Sequence, residues 1–178
     1  MNRHRLLEGF LPASEAERQH LQAMKELATV PDCWSRDHFQ PGHFTASAFI
    51  LSPDERSLLL IHHSKLDRWL QPGGHIDPGD SDLIAAARRE VAEEVGLSMV
   101  ELLGPVPFDL DVHTIPARRT EPEHQHFDVR FLFRAPTFDF EAGSDALAAR
   151  WVALEQVQEV ESDASVMRAV GKLMGARG

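Results

Sequence analysis

Three glutamates offer the clearest chemistry in this chain of 178 residues. Glu93 and Glu94 follow Glu90 by three and four residues, so a helix over this stretch carries all three on one face. Carboxylates packed this closely repel one another unless a cation lies among them. Carboxylate oxygens suit hard divalent cations, Mg²⁺ first and Mn²⁺ second. The spacing therefore indicates a cation site, and the competing interpretation is a solvated acidic helix face.

The helix that must position these glutamates is predicted over about residues 81–95. Ser81 or Asp80 can cap its first turn, and Gly96 stands where a left-handed cap ends a helix. Its opposite face carries an apolar stripe with Ile84 near the margin: Leu83, Ala87, Val91 and Val95. The helix is thus expected to be anchored by one face and to present acid on another.

A loop rich in Pro and Gly, residues 71–80, precedes this helix. Gly73, Gly74 and Gly79 allow backbone conformations that other residues avoid. Such a loop can turn a carbonyl toward a metal or pass close to a diphosphate. Arg89 can pair with a loop carboxylate and fix the loop against the helix.

The stretch from Gly74 to Leu97 resembles the Nudix box. Residues 89–97, Arg-Glu-Val-Ala-Glu-Glu-Val-Gly-Leu, match its second half without exception, and Gly74 fits its first glycine. Two features depart from the pattern: Asp80 replaces the first glutamate, and eight residues rather than seven separate it from Arg89. Asp80 or Asp82 could then serve as the partner of Arg89. The resemblance covers about residues 43–160.

The resemblance implies a fold, an activity and a set of site residues. It implies an α/β fold, the Nudix-type α/β/α sandwich with a mixed β-sheet. It implies Mg²⁺-dependent cleavage, with Mn²⁺ as the alternative ion, of a diphosphate within a nucleoside diphosphate linked to another group, or of a nucleoside triphosphate. By position, Glu90, Glu93 and Glu94 would be metal ligands and one of them the base. The Gly74 carbonyl would be a further ligand, and Arg89 completes the catalytic group.

The remaining elements agree with a layered α/β domain. Apolar periodicity predicts helices over 14–28, where Ser14 and Glu17 have the spacing of a capping box, and over 163–174. The predicted strands are Phe44–Leu51, Leu58–His62, Val100–Leu103, Phe108–His113, 125–134 and Ala149–Ala153. We therefore expect an N-terminal helical segment and linker over 1–40 and a Nudix domain over 41–178. Nudix enzymes are frequently dimeric, which by analogy allows a homodimer.

The strand at 124–131 projects four polar side chains to one side: His124, His126, Asp128 and Arg130. This side could be a solvated sheet face, a wall of the substrate pocket with His126 and Arg130 as contacts, or a zinc-type site built from the histidines and Asp128. Nudix domains often take an extra polar group from this part of the chain. Asp128 is therefore expected to be a fourth metal ligand, and Glu121 and Glu123 are the competing residues for that role.

Several basic side chains could bind the phosphates of a substrate. Arg118 and Arg119 lie in the loop 115–124, where a solvated turn is the alternative interpretation. Lys65 and Arg68 precede the glycine-rich loop and could contact a terminal phosphate. Trp69, beside them, is expected to pack rather than to stack on a base.

Composition limits the classes of partner. The chain carries 28 Asp and Glu against 18 Lys and Arg, a formal charge of -10. This charge opposes binding to a nucleic acid duplex. We therefore expect a small phosphorylated substrate that is bound through a cation. No apolar run approaches the roughly 20 residues of a membrane span, and no signal peptide is recognisable, which favours a cytoplasmic protein. Two alternatives remain: a Nudix-like sensor that binds a ligand without turnover, and a hydrolase of a non-nucleotide diphosphate.

Overall fold

The structure is a computed structural model that describes residues 7–64, 66–118, 121–141, 143 and 146–175. It contains three α-helices: α1 (Glu15–Leu27), α2 (Leu83–Val95) and α3 (Ala164–Gly175). Its eight strands are β1 (Gly42–Leu51), β2 (Ser57–His63), β3 (Arg68–Leu70), β4 (Gly73–His75), β5 (Glu101–Leu102), β6 (Asp109–Ile115), β7 (His124–Arg134) and β8 (Ala146–Ala153). A 3-10 helix, Leu154–Glu159, precedes α3.

The described residues fall into two compact units. The first unit takes its residues from Met1–Ser47, Gly73–Ala87 and Gly104–Phe131, and the second from Ala48–Pro72, Arg88–Leu103 and Leu132–Gly178. Strands β1 and β7 and helix α2 contribute residues to both units.

In the first unit, β1 pairs with β4 and neighbours β7, which in turn pairs with β6. The β1–β4 pairing is antiparallel, with Thr45 opposite His75. The β6–β7 pairing is also antiparallel and places Asp111 opposite Asp128. Helix α1 packs against β6, and the Nδ1 atom of His20 lies 2.9 Å from the Leu110 carbonyl oxygen.

In the second unit, β2 is the central strand. It forms a hairpin with the end of β1 and pairs antiparallel with β3 and β8. Strand β5 pairs antiparallel with the end of β7. Leu154 and Val157 of the 3-10 helix are buried, and α3 packs against this helix.

Strands β1 and β7 run in the same direction. The Gln125 N–H donates to the Pro41 carbonyl, and ten residues further along both strands the Ala135 N–H donates to the Leu51 carbonyl. Parallel and antiparallel pairs are therefore combined, and the prediction of an α/β fold with a mixed sheet is confirmed.

Every predicted helix and strand is present, with bounds shifted by a few residues, but two short strands were not predicted. Strand β4 lies inside the glycine-rich stretch 71–80, where glycine disfavours strand formation by its own propensity. A Cβ atom on Gly73 would lie 2.2 Å from the Ser47 hydroxyl oxygen, so close approach to β1 requires glycine here.

The N-terminal helix and its cap agree with the predicted capping box. The Ser14 hydroxyl accepts a hydrogen bond from the Glu17 N–H, and the Glu17 carboxylate accepts one from the Ala13 N–H. The segment after the helix contacts β1: the Cys33 carbonyl accepts a hydrogen bond from the Phe44 N–H, and Trp34 stacks on Phe44 with ring centroids 4.3 Å apart. The domain boundary at residue 40 stays a prediction.

No helix in the described part of the chain is long and apolar enough to cross a membrane.

Candidate functional site

Helix α2 positions the three glutamates by burying its opposite face. The apolar stripe is confirmed, since Leu83, Ala87, Val91 and Val95 are each at most 1% exposed. The predicted cap is wrong: the helix begins at Leu83, and the Asp82 carboxylate, rather than Ser81 or Asp80, accepts a hydrogen bond from the Ala85 N–H.

The end of helix α2 agrees with its predicted glycine cap. Gly96 has φ +67°, the left-handed conformation that favours glycine. The next contacts come from the segment after β7, where the Glu141 N–H donates to the Val95 carbonyl and the Gly143 N–H to the Glu94 carbonyl. A Cβ atom on Gly143 would lie 2.1 Å from the Glu93 carbonyl oxygen, so this segment can approach the helix closely only with glycine.

The acidic face of α2 is organised around one guanidinium. The Arg89 Nη1 atom lies 2.8 Å from Glu90 Oε1 and 3.1 Å from Glu93 Oε2. The side chain of Glu90 is 13% exposed, that of Glu93 is 58% exposed, and Glu94 is half-buried. Two carboxylates are thus held together beside a cation while Glu93 still reaches solvent. The face can offer several oxygen ligands to a hard cation.

The glycine-rich loop carries two carboxylates with local roles. The Asp80 side chain accepts a hydrogen bond from the Asp77 N–H at 2.8 Å, and Asp82 caps α2. Gly74 lies in β4, opposite Ala46. Two roles stay predictions from the sequence: the pairing of Arg89 with a loop carboxylate, and the binding of a metal by the Gly74 carbonyl.

The polar side of β7 is buried, so the interpretation as a solvated sheet face is wrong. Asp128 and Arg130 are 2% and 1% exposed. The Asp128 carboxylate accepts hydrogen bonds from Thr45 Oγ1 at 3.0 Å, from Ser47 Oγ at 2.8 Å and from Arg130 Nε at 2.7 Å. Both oxygens of the predicted fourth metal ligand are therefore engaged by the protein itself.

The Arg130 guanidinium lies among three carboxylates. It contacts Asp128, Asp109 at 3.3 Å and Asp111 at 3.2 Å. Burial alone would lower the pKa of Arg130, but these carboxylates outweigh it and raise the pKa above its ordinary value. These ion pairs tie β6 to β7, and the contact of Arg130 with a substrate anion stays a prediction.

Next to this network, three imidazoles converge. One nitrogen each from His43, His75 and His126 lies within 4.8 Å of the others. The sequence pointed to His126 but missed His43 and His75, because only the pairing of β1 with β4 and β7 brings them together. His43 precedes Thr45 by two residues, and His126 precedes Asp128 by two, so each histidine shares a strand face with that residue. Knowledge of the sheet register would have shown that these faces meet.

The cluster is uncharged at neutral pH. Burial first, and then the neighbouring imidazole of His43, lower the pKa of His126 to about 2. The same two causes lower the pKa of His75 to about 4. Burial also lowers the pKa of His43. Neutral imidazole is the form that binds metal ions.

Two further histidines border the cluster with partners of their own. His113 Nδ1 lies 3.0 Å from Asp111 Oδ2. His124 is buried, its Nδ1 lies 2.8 Å from the Pro122 carbonyl oxygen, and its ring lies 5.2 Å from that of His126.

The basic residues predicted to bind phosphates are placed as follows. Arg118 is exposed, and its backbone exchanges two hydrogen bonds with that of Glu121. Arg68 is exposed in β3, opposite His63. Lys65 and Arg119 lie outside the described residues.

Trp69 packs inside its own unit, as expected. The Arg150 guanidinium lies 4.1 Å from the Trp69 ring centroid, and the His62 ring lies 5.1 Å from it. The ring is thus engaged by neighbours of the same sheet.

Comparison with known proteins agrees with the helix motif. A family model described as NUDIX domain matches residues 41–170. An RNA pyrophosphohydrolase of Caulobacter vibrioides is 32% identical over 124 residues, which are 62% of this chain and 72% of that protein. The asymmetrical bis(5'-nucleosyl)-tetraphosphatase of Rattus norvegicus is 27% identical over 101 residues, 56% of this chain and 65% of that protein.

A solved structure shares the fold. The crystal structure of a NUDIX-family hydrolase from Clostridium perfringens superimposes with a TM-score of 0.57 at 25% identity, covering 74% of this chain and 95% of that one. With the family model spanning most of the sequence and the glutamates of α2 in the matched region, the chain belongs to the Nudix family.

Proposed function

We propose that this Nudix protein hydrolyses the phosphoanhydride bond of a nucleotide-linked diphosphate, using Mg²⁺ and water. The observation that carries the proposal is the acidic face of α2, where Arg89 holds Glu90 and Glu93 together and Glu94 follows directly. Family membership and the names of two relatives, an RNA pyrophosphohydrolase and a bis(5'-nucleosyl)-tetraphosphatase, support the reaction class.

The donor set fits Mg²⁺. Glu90, Glu93 and Glu94 offer only carboxylate oxygens, the ligand type that Mg²⁺ prefers, and these three residues would hold the ion. Asp128 is left out of the proposed set, because both of its oxygens accept hydrogen bonds from Thr45, Ser47 and Arg130. When bound, Mg²⁺ neutralises phosphate oxygens and makes a bound water more acidic.

The side chains of α2 have two further tasks. One of the glutamates acts as the base that takes a proton from the attacking water, and Glu93 has the exposure that this role needs. Arg89 offsets part of the negative charge on the face and holds two carboxylates in place, so that the face is ordered before substrate arrives.

The substrate class follows from charge and from the relatives. A formal charge of -10 opposes binding to a nucleic acid backbone, which supports a small nucleotide over the body of an RNA. The products would be a nucleoside monophosphate and a phosphorylated leaving group, or pyrophosphate from a nucleoside triphosphate. A non-nucleotide diphosphate is the second candidate within the same chemistry.

The test replaces glutamates of the acidic face of α2 and compares these variants with one that loses a glutamate elsewhere. Glu93→Gln and Glu94→Gln should each lower kcat by about 10²–10⁴-fold, because each removes a carboxylate needed as base or ligand. Glu155→Gln is the matched control, since Glu155 is an exposed glutamate of the 3-10 helix. Nucleoside monophosphate formed from nucleoside triphosphates, nucleotide sugars, ADP-ribose and dinucleoside polyphosphates is measured by chromatography with and without Mg²⁺.

Two outcomes would contradict the proposal. Formation of nucleoside monophosphate by both variants at the rate of the Glu155→Gln control, under saturating Mg²⁺, would show that Glu93 and Glu94 are not needed for the reaction. Tight ligand binding with no turnover on any substrate would favour the sensor alternative.

A further inference from the structure

One face of three neighbouring strands gathers the histidines His43, His75 and His126. His75 lies opposite Thr45 in the β1–β4 register, and His43 precedes Thr45 by two residues, so both share its face. The Thr45 hydroxyl contacts Asp128, and His126 precedes Asp128 by two residues on β7. The sheet therefore brings one imidazole from each of β1, β4 and β7 to the same place.

The distances suit a metal after small side-chain rotations. The ring centroid of His43 lies 5.1 Å from that of His75 and 4.8 Å from that of His126, and the ligand nitrogens lie within 4.8 Å of one another. Metal–nitrogen bonds of about 2.0–2.1 Å in a tetrahedral site place ligand nitrogens roughly 3.4 Å apart.

The second observation is an unpartnered buried nitrogen. His43 is 1% exposed, and its Nε2 atom has no hydrogen-bond partner among the residues that the structure describes. Its Nδ1 lies 3.1 Å from the His38 carbonyl oxygen, which can only accept, so Nδ1 carries the proton and Nε2 keeps a free lone pair. A histidine held by a carbonyl on one nitrogen and bare on the other has the arrangement of a metal ligand.

We propose that His43, His75 and His126 form a binding site for a divalent transition metal ion of the zinc class. Imidazole nitrogens suit Zn²⁺, Cu²⁺ and Ni²⁺ rather than Mg²⁺, so this site differs in chemistry from the carboxylates of α2. Three protein nitrogens leave one coordination position for water or another group. His124 stays outside the site, because its Nδ1 is already held by the Pro122 carbonyl.

Such an ion would link β1, β4 and β7. Because the folded chain holds the three nitrogens together and an unfolded chain does not, zinc binding should stabilise the folded state. His75 directly follows Gly74, so the bound ion would also fix the middle of the glycine-rich stretch 71–80.

The test uses the full chain, stripped with EDTA, dialysed, and titrated with Zn²⁺ alone. We expect one zinc per chain by metal analysis, a rise in Tm with zinc, and visible absorption of tetrahedral Co²⁺ when cobalt replaces zinc. His43→Gln, His75→Gln and His126→Gln should each weaken zinc binding at least about tenfold. Circular dichroism checks that each variant is folded. If the His43 variant does not fold, His75→Gln is the decisive variant, because His75 is only half-buried.

Two controls separate this site from other metal ligands. His62→Gln removes a histidine of β2 outside the cluster and should bind zinc like the parent protein. The double variant Glu93→Gln/Glu94→Gln should also keep its zinc, so failure of the zinc site and failure of the hydrolase proposal are scored separately. Less than one zinc per chain at micromolar free Zn²⁺, or unchanged affinity in His75→Gln, would overturn the proposal.

Discussion

Buried charge on β7 is the strongest single-residue feature of the chain. Arg130 is 1% exposed and contacts Asp109, Asp111 and Asp128, while Arg134 on the same strand is 37% exposed by its side chain and pairs with Glu55 and Glu101. The two arginines have the same chemistry and differ in solvent. A buried charge is destabilising without its counter-charges, because solvent cannot screen it, and the same holds for the buried counter-charges.

Removing Arg130 should therefore be far more damaging than removing Arg134. Arg130→Met leaves three buried carboxylates without their cation and should lower the free energy of unfolding by about 3–5 kcal/mol. Arg134→Met, the matched control, should cost less than about 1 kcal/mol because its pairs are exposed. Urea denaturation followed by circular dichroism measures both, and equal losses would show that burial of the network does not matter.

Among the helices and strands, α2 needs a glycine at its C-terminal end, where the chain leaves the helix. Gly96 adopts φ +67° directly after Val95, and a Cβ atom there would lie 3.2 Å from the Glu141 Cβ atom. Gly104 is a contrasting glycine, because a Cβ atom on it would have nothing within 4 Å. The conformation of Gly96, more than the space around it, requires glycine.

Alanine at the two positions tests this difference. Gly96→Ala should lower the free energy of unfolding by roughly 1–2 kcal/mol, the cost of placing a Cβ in the left-handed region. Gly104→Ala should stay within about 0.5 kcal/mol of the parent protein. Thermal and urea unfolding of both variants provide the comparison; a Gly104 variant as unstable as the Gly96 variant would refute the assignment of a strained cap.

The elements also show what the sequence could and could not reveal. The stripe of α2 and its Gly96 cap were predictable because both are encoded locally, by a helical period and a backbone requirement. Strand β4 was not, because Gly73 is held there only by pairing with Ser47 of a distant strand. The burial of Asp128 and Arg130 was missed because alternation assigns a face without showing what covers it.

Of the candidate functional residues, some could be predicted from local spacing and others could not. The glutamates of α2 follow one another within a single turn, so their shared face could be read directly from the spacing. The cluster of His43, His75 and His126 draws on three strands separated in sequence, and no local pattern reveals their register.

For the whole molecule, we expect net charge to affect the approach of the proposed nucleotide substrate. The chain has a formal charge of -10, and a nucleoside triphosphate is itself a polyanion, so the two repel each other at long range. Added salt screens this repulsion, since the Debye length falls from about 30 Å at 0.01 M to about 10 Å at 0.1 M ionic strength. A protein that binds a nucleic acid backbone through Lys and Arg shows the opposite trend, because salt weakens those contacts.

We therefore expect kcat/KM for a nucleotide substrate, at fixed free Mg²⁺, to stay level or to rise as KCl increases from about 0.02 to 0.2 M, within the range where screening changes most. Choline chloride in place of KCl controls for a specific effect of potassium, and sucrose at equal osmolality controls for solvent activity. Initial rates at low substrate concentration measure the effect. A tenfold fall over this range would indicate that phosphates bind to a basic surface, in conflict with the proposal that this acidic chain binds its substrate through a cation.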